Sequence, residues 1–432
     1  MNARIASILA RQIWDSRGRP TVEAEVILEN GARGQAIAPA GASRGAHEAI
    51  ELRDGGTKFG GYGVDGAVAG LRAELAPALL GMDARDQPAV DRLLCEVDGT
   101  PDKSRLGANA LVALSLAVLQ AAAAHSREPL WRYLAQGNAV RLPLPEIQIF
   151  GGGAHAGRRT DVQDFMVMCP KAGSFRRALE MTDEVYRAAG RLMQDRGPLS
   201  GVADEGGWWP DFQSNEDALD VLTKAIELSG YRPGEDIWIS LDIAANELGD
   251  ANGYTLALDD SRLSGTDMAA RIIQWCARYP ILSIEDPAGQ DDWQTMGRVM
   301  AAIGNRVQVI GDDVLVTNPA RVERAVAAGV CNAALIKVNQ AGTVSEAKEA
   351  FDVAQNNGWG TLVSARSGES EDVAITHLAT GWNAGQLKVG SFARSERMAK
   401  WNEVLRIEEA MGPDAVFAGT SAFASPIAER LA

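Results

Sequence analysis

The chain has 432 residues, is 46% hydrophobic and carries a formal net charge of −15. That length allows two or three domains, or a βα barrel of roughly 250 residues with a smaller partner. The acidic balance argues against nucleic-acid or anionic-membrane partners, because binding phosphate polymers needs basic surface. No run of ~18 apolar residues is apparent and the first residues lack a secretory apolar stretch, so a soluble cytoplasmic protein is expected. The four cysteines, Cys95, Cys169, Cys276 and Cys331, follow no metal-ligand spacing and read as free thiols.

In chain order, Ile5–Ile13 and the alternating stretch Thr21–Gly31 read as an antiparallel pair, the second strand ending in an Asn-Gly turn. The polar turn Asp15–Pro20 lies between them. A Gly/Ala loop, Ala38–Ala46, follows. The later stretch Gly107–His125 is apolar on nearly every face, which predicts a fully buried helix. These elements form an α+β unit over 1–138. The segment Arg141–Pro145, with two prolines, reads as a linker that resists both helix and central strand, so a second unit is expected over 139–432.

That second unit opens with a glycine loop at Gly151–Gly157, a strand at Phe165–Met168 and a helix near Ser174–Arg196. A further glycine loop, Val202–Gly207, follows. Six short apolar runs then each deliver a polar residue: Asp242, Glu285, Asp312, Lys337, Arg366 and Lys388. The gaps between them are 43, 27, 25, 29 and 22 residues. A gap near 25 is one strand, one helix and two loops, so these are repeated βα units. In a closed βα barrel the residues just past the strand ends face one mouth. Three carboxylates and two lysines would meet there, and oxygen ligands without histidine or cysteine favour Mg2+ over zinc.

The motifs at these strand ends resemble those of the enolase family. They include Ser283-Ile-Glu-Asp-Pro287, Gly311-Asp-Asp313 with Val316-Thr-Asn-Pro319, Leu335-Ile-Lys-Val-Asn-Gln340, Ser367-Gly-Glu369 and Arg394-Ser-Glu-Arg397. Upstream, Asp15-Ser-Arg-Gly18, Leu106-Gly-Ala-Asn109 and Asp204-Glu-Gly-Gly207 belong to the same ordered pattern. The resemblance implies an α/β protein: an enolase-type modified (β/α)8 TIM barrel with an N-terminal α+β capping domain.

It also implies roles. Asp242, Glu285 and Asp312 would hold a first Mg2+, and Ser43 would serve a second. Lys337 would remove the proton α to a substrate carboxylate, and Glu205 would protonate the departing hydroxyl with Asp164 as its partner carboxylate. His155, Gln163, Arg366, Ser367 and Lys388 would hold a small phosphorylated or phosphonylated anion. A base must be uncharged, so Lys337 is expected to have a lowered pKa. A homodimer or larger ring is expected by analogy.

Departures from the usual motifs cluster at the substrate end. Ala40 and Arg44 replace a serine and a threonine in the Gly/Ala loop. Gly151 and Ala154 stand for an asparagine and a serine, Asp164 for a glutamate, and Ala365 for a histidine. Trp208 and Trp209 replace a smaller pair. Lost volume together with an added guanidinium suggests a substrate with an extra anionic group near phosphorus, as in the carboxyphosphonoenolpyruvate synthases of phosphinothricin-type pathways. A catalytically retired binding protein is the alternative from another class, which five intact metal and lysine positions disfavour.

Overall fold

A computed structural model describes residues 2–250 and 252–432. Strand β1 (Ile5–Trp14) pairs antiparallel with β2 (Pro20–Leu28), which pairs antiparallel with β3 (Arg33–Ile37). The Asn30-Gly31 turn lies between the last two, with Gly31 at φ +84°, a conformation glycine adopts without strain. The helix Ala108–Ser126 lies against this sheet. It comes so close to β3 that a Cβ at Gly34 would stand 2.1 Å from the carbonyl oxygen of Ala117. By length and composition this helix would cross a membrane, which the apolar-run reading overlooked, but 83% of its most apolar stretch is buried within the protein.

The larger unit is a closed eight-stranded barrel. Its strands are β4 (Leu144–Gly151), β5 (Asp164–Met168), β6 (Trp238–Asp242), and then β10 (Ile281–Glu285), β11 (Gln308–Gly311), β12 (Ala333–Ile336), β13 (Gly360–Ser364) and β14 (Gly385–Gly390). A small three-stranded sheet, β7 (Gly249–Asp250), β8 (Gly253–Leu256) and β9 (Ser261–Leu263), interrupts the series. Together with the helix Gly265–Arg278 it fills the 43-residue gap between Asp242 and Glu285. From β10 onward each strand is followed by a helix and pairs in parallel, as the regular spacing requires.

Two details differ from expectation. Pro145 is not in a linker: it is the second residue of β4, inside the barrel wall. It pairs in register with Leu387 of β14, while the ladder from β4 to β5 begins only at Glu146, so its missing N–H falls at the start of the strand. The second detail is direction. β5 runs antiparallel to both β4 and β6, so its first residue, not its last, sits at the mouth. Asp164 thereby pairs in register with Asp242, and Asp242 in turn with Glu285.

Buried Cys169, Cys276 and Cys331 and half-buried Cys95 are free thiols, and burial pushes the Cys276 thiol up to about 12. None is poised to react.

Candidate active site

The barrel mouth collects the polar residues that the strand ends deliver. Lys388 lies within β14 rather than beyond it. Its ammonium donates to Asp242 Oδ2 at 2.8 Å and to Glu285 Oε2 at 2.7 Å, and stands 3.7 Å from Asp164 Oδ2. Lys337, just past β12, is ion-paired with Asp312, just past β11. The other oxygen of Asp312 accepts from the Gln340 side-chain amide at 2.8 Å. All five residues of the expected constellation are therefore at one mouth, joined through the two lysines.

Asp242, Glu285 and Asp312, the carboxylates expected to hold metal, are not themselves the close-set acidic group. Among the described residues that group at this mouth is Asp286, Asp312 and Asp313. Asp286 has a structural task, since its two oxygens accept the backbone N–H groups of Asp312 and Asp313 at 2.9 and 2.7 Å. It thus clamps the turn that presents Asp312.

Burial dominates the electrostatics. Buried beside Asp242, Glu285 is pushed well above the usual carboxylate range. Burial opposes charge on Lys388, but Asp242 and Glu285 outweigh it and raise its pKa well above the ordinary value. Burial likewise opposes charge on Lys337, and Asp312 again outweighs it. The sequence reading expected an uncharged Lys337. Within the protein's own charges Asp312 holds it protonated; Arg366 and Lys388 do lower it, as expected of Lys388, but less than Asp312 raises it.

Several acceptor atoms here are buried without hydrogen-bond partners: Glu285 Oε1, Asp164 Oδ2 and Gln163 Oε1. Buried oxygens rarely remain unmatched. A set of unmatched carboxylate and amide oxygens is the donor chemistry of a hard divalent cation, so the residues fit Mg2+.

On the other side of the mouth, His155 Nδ1 lies 3.1 Å from Asp164 Oδ1 and His155 Nε2 lies 3.8 Å from Glu205 Oε1. Asp164 and Glu205 are thus linked through the imidazole rather than to each other. Burial opposes charging this ring, but Glu205 and Asp164 outweigh it and raise its pKa to about 9. Burial also works against a charged Asp164, yet His155 and Lys388 keep it below the usual range. The Glu205 loop is held by Gln148, whose side-chain oxygen accepts the Gly207 N–H at 2.8 Å.

The Gly/Ala loop closes the site from the capping side. Ala40 and Gly368 exchange backbone hydrogen bonds of 2.9 and 2.8 Å, and Ala42 N–H donates to Ser367 Oγ at 2.9 Å. Arg366 donates to the carbonyl of Ser43 at 3.2 Å and to Glu48 at 3.0 Å. Ser43, His155, Gln163, Asp164, Glu205, Asp242, Lys337, Ala365, Arg366, Ser367 and Lys388 all line one narrow cavity.

The motif departures do not all surround this cavity, contrary to the sequence reading. Ala365 and Asp164 line it. Arg44 is exposed and outside it: its neighbour Ser43 turns inward, and the next side chain of the loop points to solvent. Gly151 leaves no free volume, since a Cβ there would meet that of Ala203 at 2.4 Å. Ala154 borders a neighbouring cavity, and Ala40 is tied into the loop bridge. Trp208 stacks on Tyr186 with ring centroids 4.8 Å apart.

Sequence reasoning assigned no role to Glu48, Thr317 or Gln340. The last two stand inside the quoted motifs Val316–Pro319 and Leu335–Gln340, so the only available signal was adjacency to Asp312 and Lys337.

Residues 5–134 match the family model for the enolase N-terminal domain, and residues 139–425 match that for the enolase C-terminal TIM barrel domain. The chain is also similar to "Enolase 1" of Desulfitobacterium hafniense (strain Y51), at 48% identity over 425 residues, covering 98% of this chain and 97% of that protein. Both halves of the fold and the whole length of a relative agree, and the chain belongs to the enolase family, as a hydro-lyase of the phosphopyruvate hydratase type.

Proposed function

We propose that this enzyme eliminates water from 2-phosphoglycerate to give phosphoenolpyruvate, with Lys337 as base and Glu205 as acid. The observation that carries this reading is that both side chains face one small cavity shared with Asp242 and Lys388. Asp242, Glu285 and Asp312 would hold a first Mg2+, and Ser43 would serve a second. When bound there, Mg2+ supplies the positive charge that stabilises a second negative charge developing on the substrate carboxylate.

Asp312 holds Lys337 protonated while its charge faces that ammonium alone. With Asp312 shared with a bound cation the amine would be uncharged, and it then takes the proton from the carbon beside the substrate carboxylate. The electron pair left behind forms the carbon–carbon double bond as the bond to the neighbouring hydroxyl breaks. Glu205 donates a proton to that hydroxyl, which departs as water. His155, charged at neutral pH, stands beside Glu205 and Asp164, and Arg366, Ser367 and Lys388 orient the anionic ends of the substrate.

The chain divides at 138/139 into cap and catalytic barrel, works in the cytoplasm and assembles as a homodimer or larger ring. A second reading, a substrate carrying a carboxylate on phosphorus, is favoured by Ala365 alone, whose methyl group offers the cavity space and no hydrogen bond. Exposed Arg44 does not support it.

The test is direct. Purified protein with Mg2+ is supplied with 2-phosphoglycerate, and absorbance of the enol product is followed. Turnover in the ordinary enzyme range of about 1–1,000 per second supports the first reading. Turnover orders of magnitude lower, with a carboxylated phosphorus analogue preferred, supports the second.

A further inference from the structure

The turn after Asp312 contains two consecutive β-branched residues in the left-handed region, Val316 at φ +46° and Thr317 at φ +51°. Bulky residues avoid this region and persist in it only where the surroundings enforce the conformation. What the conformation achieves is visible in the contacts of Thr317. Its hydroxyl accepts the backbone N–H of Lys337 at 3.0 Å and donates to Gln340 Oε1 at 2.7 Å. That fixes the Gln340 amide, whose nitrogen donates to Asp312 Oδ1 at 2.8 Å and to Glu48 Oε1 at 3.3 Å. Glu48 in turn accepts from Arg366 at 3.0 Å and from the Gly45 N–H at 3.1 Å.

The same strained turn touches the loop a second time. A Cβ at Gly45 would meet the Val316 side chain at 2.6 Å, so loop and turn are in close contact. Thr317, Gln340 and Glu48 are all buried. One continuous buried path therefore runs from the Ser43-bearing loop through Glu48 and Gln340 to Asp312 and, through Thr317, to the backbone of Lys337.

We propose that Gln340, held by Thr317, is a positioning residue that couples the seating of the Ser43 loop to the placement of Asp312 and Lys337. This rests on reading Asp312 as a Mg2+ ligand and Lys337 as the base. The physical reason is the fork of one amide. Its two hydrogens engage a carboxylate on the barrel and a carboxylate beside the loop, so one side chain anchors both. Groups that orient a metal ligand typically change metal affinity or activity by about 10- to 100-fold when removed.

The test uses Gln340→Met, which keeps the volume and removes both amide bonds. The readouts are Mg2+ affinity by calorimetry, kcat and KM separately, and hydrogen exchange of residues 41–48 with and without Mg2+. Wild type should show slower exchange in the loop when Mg2+ is added. In Gln340→Met the affinity should fall about tenfold or more, kcat should fall more than KM rises, and loop exchange should no longer respond to Mg2+.

Thr317→Val should reproduce the effect and Thr317→Ser should restore it, which serves if Gln340→Met folds poorly. Unchanged affinity and kcat in Gln340→Met and Thr317→Val, or a loop in these variants that still answers Mg2+ as wild type does, overturns the proposal. If instead wild-type protein itself binds no Mg2+, the underlying assignment of Asp312 has failed, and the coupling falls with it.

Discussion

The two sides of the barrel mouth are built differently. On one side stand Asp242, Glu285, Asp312, Lys337 and Lys388, each in or next to a barrel strand. Their positions follow from strand register, and Asp242 and Glu285 are register partners. On the other side stand Ser43, His155 and Glu205, delivered by segments outside the barrel strands. The first side joins three carboxylates and two amines in ion pairs. Of the residues that depart from the family pattern, Asp164 and Ala365 line the cavity from positions in and next to strands, whereas Arg44 on the loop stays outside it. What a strand delivers is fixed by register, whereas what a loop delivers depends on the loop's own course.

Breaking the rigid side should have the largest effect. Lys337→Ala removes the base, and kcat should fall by about 10^2- to 10^4-fold or more, while calorimetry still registers Mg2+. A loss below tenfold would mean that another group takes the proton. Glu205→Gln should lower kcat by a comparable factor and separate the two proton transfers. In D2O the substrate's α-hydrogen should still exchange, as followed by proton NMR, although little product forms. Absence of exchange in that variant would place Glu205 in the first step as well.

A smaller effect concerns His155. Its pKa is raised from 6.5 to about 9, so the folded state binds its proton more tightly than the unfolded state. The resulting stabilisation is fully present below about pH 6.5 and disappears as pH rises through 9. The difference in denaturation midpoint between wild type and His155→Gln should therefore shrink between pH 6 and pH 9.5. A difference independent of pH contradicts a charged His155.

The smallest effects belong to the departures. Ala365→His should shift the ratio of kcat/KM for 2-phosphoglycerate over a bulkier phosphorus analogue by about tenfold, within the range expected for one pocket contact. Arg44→Thr should change that ratio less than twofold, because Arg44 is exposed and lies outside the cavity. An Arg44 effect larger than the Ala365 effect would show that the loop turns this guanidinium inward over substrate.

The same contrast explains what was legible in the sequence. A period near 25 residues and a polar residue after each apolar run were enough to place Glu285, Asp312 and Lys337 at one mouth, because strand direction alone fixes that. Asp164 was legible only through family resemblance. It starts an antiparallel strand, and nothing in its local pattern says which end of β5 faces the mouth. Pro145 misled because proline argues against a central strand, whereas here its missing N–H falls at the start of one. Arg44 misled for a different reason. Residue type indicates what a side chain would do in a pocket, whereas the loop's backbone decides whether it enters. The Thr317–Gln340 path was hidden because it depends on a positive φ at two β-branched residues, which no propensity foretells.

The central claim is that carboxylates from three neighbouring strand ends hold a divalent cation. Calorimetric titration of Mg2+ into wild type and into Glu285→Gln tests it most directly, since one Glu285 oxygen is buried and unmatched and the other accepts from Lys388. Saturable binding to wild type that weakens by at least tenfold in a folded Glu285→Gln is the predicted result. Wild-type protein that takes up no Mg2+, or a variant that binds it as tightly as wild type, would contradict the account.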